Sequence, residues 1–122
     1  MQDKVGIVRR QEEMEQALEG IQGFRKRAAN VSVVGNREYN PGWHTALDLN
    51  NLLTVSEAIT RAAIERKESR GAHFRDDHPE KDAASGTFNL LVRKGKDGEM
   101  QVTREPLPKM TDELKRIIEE MK

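Results

Sequence analysis

The run Trp43-His44-Thr45-Ala46-Leu47-Asp48-Leu49-Asn50-Asn51-Leu52-Leu53-Thr54-Val55-Ser56-Glu57-Ala58-Ile59 decides the fold class, because it contains no glycine or proline and its apolar residues keep helical spacing. Leu47, Leu49, Leu52, Leu53, Val55 and Ile59 fall on more than one side of a helix, so the element wants neighbours on several faces. The helix is predicted from about Trp43 to Ser69, with Gly71 ending it. Thr54-Val55-Ser56-Glu57 has the form of a capping box. Its apolar surroundings predict a continuous helix instead, with Thr54 and Ser56 bonding back within it.

Upstream, Met14, Leu18, Ile21, Phe24 and Ala28 recur at steps of three or four between Gln11 and Ala29, which predicts an amphipathic helix. Gly20 and Gly23 each weaken it by about 1 kcal/mol relative to alanine, a cost explained if another backbone packs closely there. Asn30 to Gly42 is a turn-forming cluster, the loop of an antiparallel helical hairpin. Val5-Gly6-Ile7-Val8 is apolar with no cap before it, so the helical domain is expected to be truncated at its start.

Downstream, His73 to Gly86 reads as an irregular exposed connection. Then the period changes from helical to alternating. Phe88, Leu90 and Val92 form one strand, Gly95-Lys96-Asp97-Gly98 a turn, and Met100 and Val102 a second strand. Thr111 caps a last short helix with the stripe Leu114, Ile117, Ile118 and Met121. The expected fold is mainly α (α+β): a helical bundle domain over residues 1–75, and a tail over 76–122 whose β-hairpin and terminal helix pack on it.

Composition narrows the function. In 122 residues only 35% are hydrophobic and 34% are charged, so one thin core is the limit. The formal net charge is zero, which removes the positive field that nucleic-acid binding relies on. There is no cysteine, which excludes disulfides and iron–sulfur ligation by this chain. No apolar run approaches the roughly 18–20 residues that span a bilayer, so no direct membrane insertion is expected.

The densest polar cluster is Arg70-Gly71-Ala72-His73-Phe74-Arg75-Asp76-Asp77-His78-Pro79. A metal could use His73, Asp76 and His78, but Arg70 and Arg75 would repel a divalent cation. General acid–base work by His73 with Asp76 as orienter lacks a nameable nucleophile or oxyanion donor. The favoured reading is structural: Arg70, His73, Arg75 and Asp76 brace the loop to the helix ends. No catalytic, cofactor or metal residue is assigned. His44 is given no chemistry, and Arg25-Lys26-Arg27 reads as a solvated helix terminus interacting with the helix dipole.

The runs Ala46-Leu47-Asp48-Leu49-Asn50-Asn51-Leu52-Leu53 and Glu68-Ser69-Arg70-Gly71-Ala72-His73-Phe74-Arg75-Asp76-Asp77-His78-Pro79 resemble the C-terminal part of succinate dehydrogenase and fumarate reductase flavoprotein subunits. Val5-Gly6-Ile7-Val8-Arg9 is similar to the family's helical domain, and Val92-Arg93-Lys94 with Arg104-Glu105-Pro106-Leu107-Pro108 to its tail. The resemblance covers essentially the whole chain. It implies a parent that interconverts succinate and fumarate in respiratory electron transport with a covalently held FAD, whose flavin- and substrate-binding residues lie upstream of anything here. It also implies two partners, the remainder of the flavoprotein subunit and an iron–sulfur subunit. The parent complex would sit peripherally on the cytoplasmic, inner face of the cell membrane.

L-aspartate oxidase is similar at its helical end, but usually has a bulkier residue where Ala72 stands, and this hairpin and final helix are not expected there. His78 stands where an aromatic residue is common. The leading expectation is therefore a non-catalytic docking portion of a respiratory flavoprotein, inactive alone and prone to self-association through an exposed apolar patch. The alternatives are an independent helical adaptor binding a protein through the Leu47–Ile59 face, the equivalent part of L-aspartate oxidase, and a small hydrolase using His73.

Overall fold

The computed structural model describes residues 1–121. A short strand β1 (Val8–Arg9) leads into helix α1 (Gln11–Ala28), and a loop connects this to the long helix α2 (Pro41–Glu65). Strand β2 (Phe74–Arg75), a 3₁₀ turn at Ala84–Thr87, strands β3 (Phe88–Lys94) and β4 (Met100–Pro106), and helix α3 (Asp112–Glu120) follow. This is a mainly helical α+β fold.

α1 and α2 pack antiparallel: Met14 near the start of α1 shares a core with Ala63 near the end of α2, while Arg25 late in α1 meets Glu57 further back. The buried apolar residues are few. Val5, Met14 and Ala63 form one cluster, edged by Ala17 and Ile64, and Ile21 and Leu53 are buried elsewhere along the hairpin. Glu57 and Thr60 are buried beside them, so polar bonds hold α1 to α2 along with packing. Glu57 receives Arg25 Nη2 at 2.9 Å and Arg61 Nε at 2.7 Å. Burial alone would raise its pKa, yet those two guanidinium groups hold it below the usual carboxylate value.

β1 and β2 pair in parallel, Val8 against Phe74 and Arg9 against Arg75, which ties the chain before α1 to the segment after α2. β3 and β4 form an antiparallel hairpin from Phe88↔Pro106 to Lys94↔Met100, closed by a turn in which Gly98 takes φ +85°. Arg66 fixes the hairpin to the end of α2, donating to the Ser85 and Phe88 carbonyls at 2.9 and 3.2 Å. Its guanidinium also lies 5.3 Å from the centre of the Phe88 ring.

Several expectations are corrected. α2 begins at Pro41 rather than Trp43, because Asn40 caps the Gly42 N–H at 3.1 Å and Pro41 suits the first helical position. It stops at Glu65, well before Gly71, which instead sits at φ +59° in a turn between Arg70 and His73. Gly20 and Gly23 carry no close backbone: a Cβ at either position would meet nothing within 4 Å. Arg25 is not merely solvated but is bound to Glu57 and Thr54. Within α2 the back-bonding hydroxyls are Thr54, to the Asn50 carbonyl at 2.8 Å, and Thr60, to that of Ser56 at 2.7 Å. No such bond is made by the Ser56 hydroxyl.

Candidate functional site

The connection from His73 to Gly86 is largely exposed, as expected, but it is anchored by Arg75, which is buried within it, and by Glu68 and Ser69, buried just before it. It folds as a clasp around Arg75, whose side chain has no solvent exposure. Arg75 Nε and Nη2 grip the two Asp77 carboxylate oxygens, each at 2.6 Å, in the bidentate geometry that favours strong charge-assisted bonds. Nη1 donates to the Ala63 carbonyl at 3.0 Å and more distantly to those of Ile64 and Arg66. A cation thus satisfies the orphan carbonyls at the negative end of α2.

Asp77 acts at the opposite pole. It accepts the Gln11 N–H at 3.1 Å, at the first residue of α1, where the preceding Arg10 provides no side-chain cap. The Gln11 side chain closes the ring by accepting from Arg75 Nη2 at 2.9 Å. One ion pair therefore joins the carbonyl end of α2 to the amide end of α1. The Arg75 bonds hold the Asp77 carboxyl far below the usual range.

Glu68 organises the other half. It accepts from Arg66 Nη1 at 2.6 Å, from Arg70 Nε at 2.9 Å and from the Asp82 N–H at 2.9 Å. Chiefly through Arg70, its pKa falls to about 2 despite burial. Ser69 stitches the turn by donating to the His78 carbonyl at 2.8 Å and accepting the Arg75 N–H at 2.8 Å. Gly86 lies so close to Arg70 that a Cβ would stand 2.9 Å from Nη2.

Of the four residues singled out, all belong to this clasp, in unequal roles. Arg70 serves Glu68, Arg75 is the centre, and Asp76 pairs with Arg10 on an open surface, its Oδ2 accepting from Arg10 Nε at 2.8 Å. His73 Nδ1 lies 2.7 Å from Arg9 Nη1, which can only donate, so Nδ1 accepts and Nε2 carries the proton given to the Arg66 carbonyl at 3.1 Å. Burial pushes His73 below the ordinary imidazole pKa, and the charges of Arg9, Arg75 and Arg66 add to the effect. His73, Asp76 and His78 are not gathered as ligands, and among the described residues no three carboxylate or imidazole groups form a metal site. Asp77, the carboxylate that Arg75 grips, was not singled out by sequence reasoning, and neither were Glu68, Arg66, Arg9 and Gln11. The Arg66-Lys67-Glu68-Ser69-Arg70 alternation, with a carboxylate two residues from each of two arginines, was the available signal for Glu68 and Arg66.

The site's donors and acceptors are consumed by each other, and every buried side-chain nitrogen or oxygen among the described residues has a partner. Nor does the clasp fit a flavin. A dinucleotide cradle needs a glycine-rich strand–turn–helix, whereas β1 runs straight through Arg10 into α1.

Comparison with known proteins supplies the context. Residues 1–117 match the family described as fumarate reductase flavoprotein C-term. The chain belongs to that family. This flavoprotein C-terminal domain is 37% identical over 86 residues to the succinate dehydrogenase flavoprotein subunit of Coxiella burnetii, covering 70% of this chain and 15% of that one. It is 35% identical over 97 residues to the L-aspartate oxidase of Vibrio cholerae, covering 77% and 17%. Among solved structures, Mycobacterium smegmatis Sdh1 in complex with UQ1 superposes with a TM-score of 0.86 at 41% identity, covering 98% of this chain and 20% of that one. The domain thus spans a fifth or less of the length of these relatives. Among its described residues no helix is long and apolar enough to cross a membrane.

Proposed function

We propose that the chain is the non-catalytic docking portion of a succinate dehydrogenase or fumarate reductase flavoprotein subunit. The FAD and the residues that move hydride belong to the remainder of that subunit, and an iron–sulfur subunit lies alongside. The complex works peripherally at the cytoplasmic face of the cell membrane. In this reading residues 1–75 are the docking bundle and 76–122 a tail packed on it, with Arg70, His73, Arg75 and Asp76 as bracing residues.

One observation carries the proposal: α2, buried on one side at Leu53, Glu57, Thr60 and Ala63, leaves Leu47, Leu52, Val55 and Ile59 exposed on others. Such a row on a chain with so small a core fits a helix built to lie against further protein. The clasp holds that face steady by tying both ends of the helical hairpin together. The 35% identity to an L-aspartate oxidase supports a second reading, in which the same docking part serves an amino-acid oxidase.

The test is assembly in trans. A succinate dehydrogenase flavoprotein subunit truncated before this region is mixed with the chain, and binding is followed by calorimetry. Binding that is abolished by Leu52→Glu with Val55→Glu, substitutions at exposed sites that leave the chain's melting unchanged, supports docking. No binding, or succinate turnover by the chain alone, refutes it.

A further inference from the structure

We infer that His73 is a proton-operated latch on strand β1: its neutral ring keeps β1 paired with β2, and its protonation lets residues 6–9 lift away while the α1–α2 hairpin stays closed. This is independent of the docking role above. The latch is the bond between Arg9 Nη1 and His73 Nδ1, at 2.7 Å. A guanidinium can only donate, so the bond exists only while Nδ1 is bare. Nε2 already gives its proton to the Arg66 carbonyl at 3.1 Å, so an incoming proton has only Nδ1 to take. It then sets N–H against N–H and one positive charge against another.

Nothing around the ring absorbs the added charge. The charged groups facing it are Arg9 from β1, Arg75 from β2 and Arg66 from the end of α2, all cations. The neighbouring carboxylates are engaged elsewhere: Glu68 with Arg66 and Arg70, Asp77 with Arg75, Asp76 with Arg10, and Glu65 with Arg104. Glu68 and Asp77 keep their charges far below the range in which an imidazole titrates, so their ion pairs are unchanged while His73 takes its proton.

β1 has little else to hold it. Its ladder with β2 is two residues long, and Ile7, Val8 and Phe74 are exposed. One further bond, from the Asp76 N–H to the Arg9 carbonyl at 3.0 Å, extends it. On either side the chain is anchored, by Val5 in the core with Met14 and Ala63 and by Arg10 on Asp76. Opening therefore bows residues 6–9 outward between two fixed points, a local event that leaves the helices packed. Burial and the three cations oppose protonation in the closed form, whereas the ring of the open form, in water, takes its proton near 6.5. At pH 5 this favours opening by up to about thirtyfold.

Hydrogen–deuterium exchange of the full chain, read by NMR at pH 7 and pH 5 and corrected for the intrinsic rate, tests the latch. The Asp76 amide should lose at least about fivefold in protection, with a midpoint matching the titration of the His73 ring protons. The Thr60 amide within α2 should keep its protection. His73→Asn places an uncharged acceptor near the position of Nδ1 and should hold the Asp76 amide protected at both pH values. Arg9→Met, checked for folding by far-UV dichroism, should leave that amide weakly protected at both, and His78→Asn should respond as the unaltered chain does. Three results would each overturn the inference: Asp76 protection that is the same at pH 7 and pH 5, a loss shared by Thr60, or a loss that persists in His73→Asn.

Discussion

Replacing Asp77 by asparagine removes one negative charge and leaves almost everything else in place, which makes it the sharpest probe of the clasp. Arg75 would remain with no exposed side-chain surface, still bonded to the Ala63 carbonyl and Gln11, but with no counter-charge. Removing one member of a buried ion pair costs about 3–5 kcal/mol, because the survivor cannot be rehydrated. The amide nitrogen of asparagine cannot accept from the guanidinium, so the bidentate grip becomes a single bond. The Gln11 N–H loses its charged acceptor as well, which places the expected loss in the upper part of that range.

For a domain of this size each kcal/mol moves the melting temperature by about 3–5 °C, so a fall of at least about 10 °C is expected. The control is Asp76→Asn one residue away, where both partners stand open to water and the pair is screened. Thermal unfolding followed by far-UV dichroism at pH 7 compares the two. Equal, small shifts would show that Arg75 is solvated after all, and the reasoning would fail.

Acid titration probes Glu68, whose folded carboxyl titrates near 2 against an ordinary 4.5. Its stabilising contribution is complete above about pH 4.5 and is lost as pH falls toward 2, so Glu68→Gln should flatten the stability curve across that window in urea melts. His73 is held neutral in the fold below its ordinary value of 6.5. The unfolded chain binds the proton first as pH falls from 6.5, so stability declines between 6.5 and the lower folded value. Calorimetry of His73→Gln should show that this particular decline has gone. Gly20→Ala, at an exposed helical position with nothing within 4 Å of the new Cβ, should raise stability by about 0.5–1 kcal/mol in urea unfolding. A loss of stability there would mean the open space is occupied.

Periodicity and turn chemistry by themselves determined the elements. Helical spacing from Met14 to Ala28 marked α1 to within a residue, alternation around Gly95-Lys96-Asp97-Gly98 marked the hairpin, and Thr111 before an apolar stripe marked α3. These signals are local, carried by residues a few positions apart, and they need no knowledge of what packs where. The motif from Glu68 to Pro79 likewise carries the family resemblance in its residues alone.

Only the tertiary structure decided where α2 stops and what the clasp does. No glycine or proline marks Glu65 as an end; the helix yields there because Arg75, ten residues on, caps its carbonyls. The start of α1 is satisfied in the same way by Asp77, 66 residues away in sequence. Charged side chains read alike in a sequence whether they lie in water or in the interior. Their meaning here comes from burial and from the opposed helix ends between which Arg75 and Asp77 are set.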